Sequence, residues 1–197
     1  MLEDVYRLSP LQEGLYYHWL SSPESPVYLE QASYCLKGQF DIKLLERSYN
    51  TLVSRHAVLR TFFTQDFGDN ILQVVNAAID EGFIYRDVSG NPDFSLEQYK
   101  EADRTRGFDL HSGSQMRLTV LKLNNNTYEF IWCYHHILMD GWCGSILIKE
   151  FFTIYHGLIN GREPALKKVY PYADYIKWLG RIDKQAALRD RKSTRLN

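Results

Sequence analysis

Tyr134-His135-His136-Ile137-Leu138-Met139-Asp140-Gly141-Trp142 is the stretch from which the rest of the chain can be read. Thr127 to Cys133, just before it, is mostly aromatic and aliphatic and reads as a buried strand. After it, Ile146, Ile148, Phe151, Phe152 and Tyr155 fall at the spacing of a helix with a wide apolar stripe over Ser145 to Leu158. Two adjacent histidines therefore stand where a buried strand ends and the chain turns toward a helix. Neighbours on an extended strand point to opposite faces, so one histidine at most faces a given cavity. Asp140 followed by Gly141 suits a tight turn that brings the carboxylate back toward the strand end.

These residues offer one imidazole to a site and one carboxylate to hold the local geometry. Histidine is the side chain suited to accepting a proton near neutral pH. A second reading stands beside this one: a histidine satisfied within the core, and an Asp-Gly that is only a turn. A metal beside His135 or His136 and Asp140 lacks an evident third ligand.

The stretch resembles the HHxxxDG motif of the condensation domains of nonribosomal peptide synthetases, whose wider superfamily is chloramphenicol acetyltransferase-like. Three more segments match in the family's order. Ser9-Pro10-Leu11-Gln12-Glu13-Gly14 resembles the first motif. Arg55-His56-Ala57-Val58-Leu59-Arg60-Thr61-Phe62-Phe63 resembles the second, RHxxLRTxF. Tyr172-Ala173-Asp174-Tyr175-Ile176-Lys177-Trp178 resembles the fourth, YxDYxxW. The resemblance implies an α/β lobe, an α+β two-layer sandwich in which helices cover a mixed sheet. It assigns residues 1–180 to the N-terminal lobe of a condensation domain and 181–190 to the start of a crossover toward a second lobe.

Composition bounds the class. The chain has 197 residues, 45% hydrophobic and 14% aromatic, which suits one domain with a sizeable core. A formal charge of -1 leaves no footprint for nucleic acid or an anionic membrane. No run approaches the roughly 18 apolar residues of a membrane span. The N-terminus lacks the basic and apolar regions of a signal peptide. Cys35, Cys133 and Cys143 are far apart, odd in number and without metal spacing, as expected of reduced thiols in the cytoplasm. Asn125-Asn126-Thr127 fits a glycosylation sequon but reads as a hairpin turn.

Ser9 to Leu20 reads as a helix capped by Ser9, with Pro10 in its first turn, Gln12 completing a capping box, and Leu11, Leu15 and Trp19 sharing one face. Tyr28 to Leu36 reads as a strand. Asp41 caps a helix to Arg55 with Ile42, Leu45, Tyr49, Leu52 and Val53 inward. Val58 to Thr64 and Ile71 to Val75 read as strands around a turn at 66–70. Ser95 to Arg106 reads as a polar helix with its own capping box through Gln98. Gln115 to Leu123 and Thr127 to Tyr134 form a hairpin, the first strand alternating a covered face with a wetter one and the second covered on both. The centre of the sheet is then expected at the histidines. Tyr172 to Leu188 reads as a helix, and the basic, aperiodic 191–197 as a non-native tail. Arg60, between Leu59 and Phe62, reads either as solvated at a sheet edge or as buried with an acceptor. The resemblance names Asp140 as that acceptor.

The resemblance implies one reaction, peptide-bond formation between aminoacyl or peptidyl thioesters. These arrive on the phosphopantetheine arms of upstream and downstream carrier proteins, with no bound cofactor and no metal, and an adenylation domain is expected in the same polypeptide. His136 is expected to act on the amine, Asp140 and His135 to shape the site, and Gly141 to let the backbone turn or pass closely. Arg60, Trp142, Ser9 and Gln12 are expected to support it. His135 speaks against a heterocyclisation domain, which carries Asp there, and His18, alone, against a dual epimerising-condensing domain. The first and third motifs look like those of domains accepting a D-configured donor. A carrier-docking lobe without catalysis, an epimerisation domain and a stand-alone acyltransferase remain alternatives. Motifs of the second lobe are absent, so the chain alone is expected to be inactive and prone to associate.

Overall fold

The structure is a computed structural model that describes residues 1–182 apart from 24, 66, 67, 69 and 80. In chain order its elements are β1 (Leu2–Arg7), α1 (Pro10–Ser21), β2 (Leu29–Lys37) and α2 (Ile42–Arg55). A 3-10 turn (Ala57–Arg60) follows, then β3 (Thr61–Thr64), β4 (Leu72–Asn76), β5 (Phe83–Asp87) and α3 (Leu96–Arg106). The series ends with β6 (Met116–Asn124), β7 (Thr127–His135), α4 (Gly141–Ile159) and α5 (Tyr172–Leu179). The helix expected from Tyr172 to Leu188 stops at Leu179, with Gly180 as its C-cap and a turn through Ile182. Most of the crossover and the non-native tail fall on residues 183–197, outside the described residues, as does most of the turn at 66–70.

Two sheets form. The larger has the order β2-β7-β6-β5, antiparallel except for the parallel β5–β6 pair, and the smaller is the antiparallel β1-β4-β3. The lobe is thus a mixed sheet covered by helices, and β7, which delivers the histidines, is an interior strand. Alternation along β7 sends Phe130, Trp132 and Tyr134 to the face covered by α2 and α4. There Trp132 packs edge-on against Phe151 of α4 and lies beside Tyr49 of α2. Leu45, Tyr49, Leu52 and Val53 of α2 are all buried.

The other face is not the wetter one expected of β6. Arg117 and Thr119 are buried there because α3 lies across them. Asp103 of α3 accepts from Arg117 Nε at 2.6 Å, and Arg117 also donates to the Gly107 carbonyl at 2.8 Å. A paired arginine can be covered where an unpaired one cannot. The capping residues Ser9, Asp41 and Ser95 each accept from the backbone of the third residue on.

Three sequence readings change. Ala57–Arg60 is a 3-10 turn rather than the first half of a strand, because Arg60 folds back onto the carbonyls that end α2. β1, unread in the sequence, pairs with β4. The inward face of α1 carries Gln12 and Tyr16, while Leu11 is 74% exposed. Gln12 takes the inward position because it exchanges amide hydrogen bonds with Gln73 of β4, at 3.2 and 3.1 Å, and donates to the Ile137 carbonyl at 3.1 Å.

Candidate active site

The His136 backbone N–H donates to the Tyr28 carbonyl at 2.8 Å, carrying the β2–β7 ladder one residue past its last strand pair. The chain then turns through Leu138, whose N–H donates to His135 O at 3.1 Å, and enters α4 at Gly141. His135 and His136 face opposite ways, as alternation requires. His135 is buried, its Nδ1 accepting from Ile137 N–H at 3.1 Å. Burial, with a smaller contribution from the charge of His136, pushes its pKa down to about 4. It is a neutral ring that holds the turn.

His136 is one-third exposed. Its Nδ1 faces the Met139 carbonyl at 3.2 Å and its Nε2 faces Glu30 Oε1 at 3.0 Å. Both partners are acceptors, so each ring nitrogen donates in these contacts, and Nε2 is the nitrogen that can give up its proton to the site while the Met139 carbonyl holds the other. Tyr134 stands edge-on to it, with ring centroids 6.2 Å apart.

Asp140 is the N-cap of α4, with Oδ1 accepting from Cys143 N–H at 3.0 Å. That backbone N–H, then the Cys143 thiol, holds its carboxyl below the usual range. The expected Arg60–Asp140 pair does not form. Arg60 is buried, not solvated, and its acceptors are the Glu3 carboxylate at 2.5 Å, the Val53 carbonyl at 3.2 Å, the Ser54 carbonyl at 3.4 Å and the Asn76 carbonyl. The guanidinium closes off the C-terminal end of α2, where cations are favoured, so Asp140 is left to its helix.

Gly141 is the first residue of α4 with an ordinary φ, so no left-handed turn calls for a glycine there, and a Cβ would meet nothing within 4 Å. Trp142, expected to support the site, stands out from it at 84% exposure. Ser9 and Gln12 lie buried under the histidine turn, and Tyr172 donates to Gln12 Oε1 at 3.3 Å, drawing α5 to the same point. Glu150 of α4 accepts from Arg55 Nε at 3.1 Å and His56 Nε2 at 2.6 Å, tying the second motif to the helix behind the histidines.

A cleft of about 1210 Å³ collects these parts. Its lining includes Ser9 and Gln12, Arg55, His56 and Arg60, His136 to Asp140, and Tyr172 to Tyr175. All four sequence motifs therefore meet at one cavity. Among the described residues no group of His, Cys, Asp and Glu is placed to hold a metal ion. Two residues that sequence reading missed belong here. Glu30 was recoverable from register, since it pairs with Tyr134. Glu3 was not, because β1 carries no readable period.

A lobe of this topology carries an imidazole on the wall of a large cleft, just past the end of an interior strand. The family model described as Condensation domain matches residues 2–193, and the chain belongs to that family. It is 38% identical over 192 residues to surfactin synthase subunit 3 of Bacillus subtilis (strain 168), covering 95% of this chain and 15% of that protein. With gramicidin S synthase 2 of Brevibacillus brevis it shares 38% identity over 200 residues, 100% of this chain and 4% of the relative. Among solved structures, the starter condensation domain of rhizomide synthetase superposes with a TM-score of 0.87 at 20% identity, over 99% of this chain and 48% of that one. The first condensation domain of the calcium-dependent antibiotic synthetase, in complex with substrate analogue 3a, gives 0.78 at 16% identity, over 90% and 45%. The chain thus spans about half the length of these solved chains and a small part of the synthases. No helix of the described residues is long and apolar enough to cross a membrane.

Proposed function

We propose that this chain supplies the catalytic-motif half of a domain that joins two carrier-bound thioesters by a peptide bond in nonribosomal peptide biosynthesis. The α-amine of the acceptor attacks the thioester carbonyl of the donor, and the chain passes to the acceptor's carrier. The observation that carries this reading is the convergence of all four motifs on one cleft, with His136 in its wall. Substrates enter on phosphopantetheine arms, carrier proteins dock outside the cleft, a second lobe closes it, and the reaction runs in the cytoplasm with adenylation chemistry in the same polypeptide.

Magnitudes set the role of His136. A free α-amine titrates at about 7.7–8.0, so a useful fraction is neutral at pH 7. A general base adds about 10²–10⁴ in rate, whereas orienting two reactants contributes roughly 7–11 kcal/mol. His136 therefore acts first by holding the amine and second by accepting its proton. His135, Asp140 and Gln12 hold the turn that aims it. The test is reconstitution: the complete domain carrying this chain, given one donor-loaded and one acceptor-loaded carrier protein, forms dipeptide on the acceptor carrier. Hydrolysis of both thioesters with no dipeptide would contradict the reading.

A further inference from the structure

Glu30 lies on β2 opposite Tyr134, and residues opposed across an antiparallel pair project to the same face. Tyr134 and His136 alternate onto that face, which makes Glu30 and His136 diagonal neighbours. The Glu30 carboxylate reaches His136 Nε2 at 3.0 Å while its side chain is 52% exposed. A half-exposed ion pair on an edge strand adds little to stability, so the fold has small use for it. It does hold the one ring nitrogen whose partner is not a backbone carbonyl.

The other titratable groups about the ring are Tyr28 ahead of β2, Tyr134 and His135 on β7, and Asp140 and Cys143 at the start of α4. Asp140 and Cys143 are engaged with each other in the helix cap, and His135 turns to the opposite face. Among the described residues, Glu30 is the carboxylate that reaches the imidazole.

The acceptor substrate brings a matching need. Its α-amine is mostly ammonium at pH 7, with three N–H donors and no lone pair. We propose that Glu30 seats the α-ammonium of the acceptor aminoacyl group, the nitrogen lying between Glu30 Oε1 and His136 Nε2. This deepens the condensation reading and rests on it. In the free site the 3.0 Å contact carries the Nε2 proton; once solvent takes that proton, the two acceptors can share one ammonium nitrogen in its place, at about 2.9 Å from each. One ammonium proton moves to Nε2, and the imidazolium is then held on both sides, by Glu30 and by the Met139 carbonyl. The freed lone pair attacks the thioester carbon. The C–N bond forms, the C–S bond breaks, the leaving thiolate takes the remaining amine proton, and His136 returns its own to solvent.

The test uses the complete domain with both carriers loaded, in single turnover at pH 7 and pH 9. Glu30→Gln should lower the rate about ten- to a hundredfold at pH 7, the range of a hydrogen bond to a charged group. At pH 9, where the amine is largely neutral, the deficit should shrink to about threefold or less. Glu30→Asp, which keeps the carboxylate, should recover part of the loss at pH 7, and the melting temperature should stay near the parent's. Parent-like turnover by Glu30→Gln at pH 7, or an equal deficit at both pH values, overturns the inference while peptide formation by the parent keeps the condensation reading. A parent domain that forms no peptide overturns both.

Discussion

Replacing Arg60 by Met should destabilise the lobe by about 3–5 kcal/mol, at roughly 1–3 kcal/mol for each backbone carbonyl left without its donor. The guanidinium is 6% exposed and bridges three backbone carbonyls at the end of α2 and on β4 as well as the Glu3 carboxylate. Methionine fills much of the volume but leaves those carbonyls without a donor. Glu3, at 44% exposure, can turn to water, so Glu3→Gln should cost only about 0–1 kcal/mol. The Arg60 hydrogen bond, partly offset by desolvation, holds the Glu3 carboxyl below its ordinary value. A depressed carboxyl stabilises the fold above its unfolded value near 4.5 and loses that contribution as pH falls through the folded value. The Arg60→Met difference should therefore narrow below about pH 4. Asp140→Asn should leave stability nearly unchanged, because Asn caps a helix about as well as Asp. For a domain of this size, 3–5 kcal/mol is a fall of about 6–20 °C in melting temperature. Thermal and urea unfolding of the parent and the three variants separate the cases. An Asp140→Asn protein as destabilised as Arg60→Met would refute the assignment of Arg60 to Glu3.

Removing the cap outright, by Asp140→Ala, should cost about 1 kcal/mol in urea unfolding and loosen the turn that aims His136, with a larger loss of rate than of stability. His135, whose folded pKa of about 4 lies below its unfolded value of 6.5, takes up its proton more readily when unfolded. Stability should fall by about 3 kcal/mol between pH 6.5 and 4, then level off, with a flatter profile for His135→Phe. The 197-residue chain by itself should give no multiple turnover and should self-associate in sedimentation. Leu11, Ile146 and Tyr170 are exposed in the wall of the cleft and Trp142 and Trp178 elsewhere on α4 and α5, and patches above a few hundred Å² favour association. A monodisperse monomer turning over repeatedly would contradict that.

Local chemistry made much of the lobe readable. Ser9, Asp41 and Ser95 announce their helices by side chains that accept from the backbone, and Phe130, Trp132 and Tyr134 mark a face of β7 by strict alternation. What needed a partner distant in sequence was not readable. Gln12 displaces Leu11 from the inward face because Gln73 and Ile137 wait there, and Arg117 is buried because Asp103 is. Arg60 was seen to need an acceptor, yet Glu3 sits on a strand without apolar period, so nothing nearby in sequence pointed to it. At the site, the opposed faces of His135 and His136 follow from the pleat alone. The exposure of Trp142 and the ordinary backbone at Gly141 do not, since both depend on α4 beginning at once after Asp140.

The most direct measurement is single-turnover peptide formation by the complete domain carrying His136→Ala, with both carriers loaded and folding checked by melting temperature. The account predicts a folded protein whose rate falls at least about a hundredfold, the lower range for loss of a positioned proton acceptor. A folded His136→Ala domain condensing its substrates at the parent rate would contradict it.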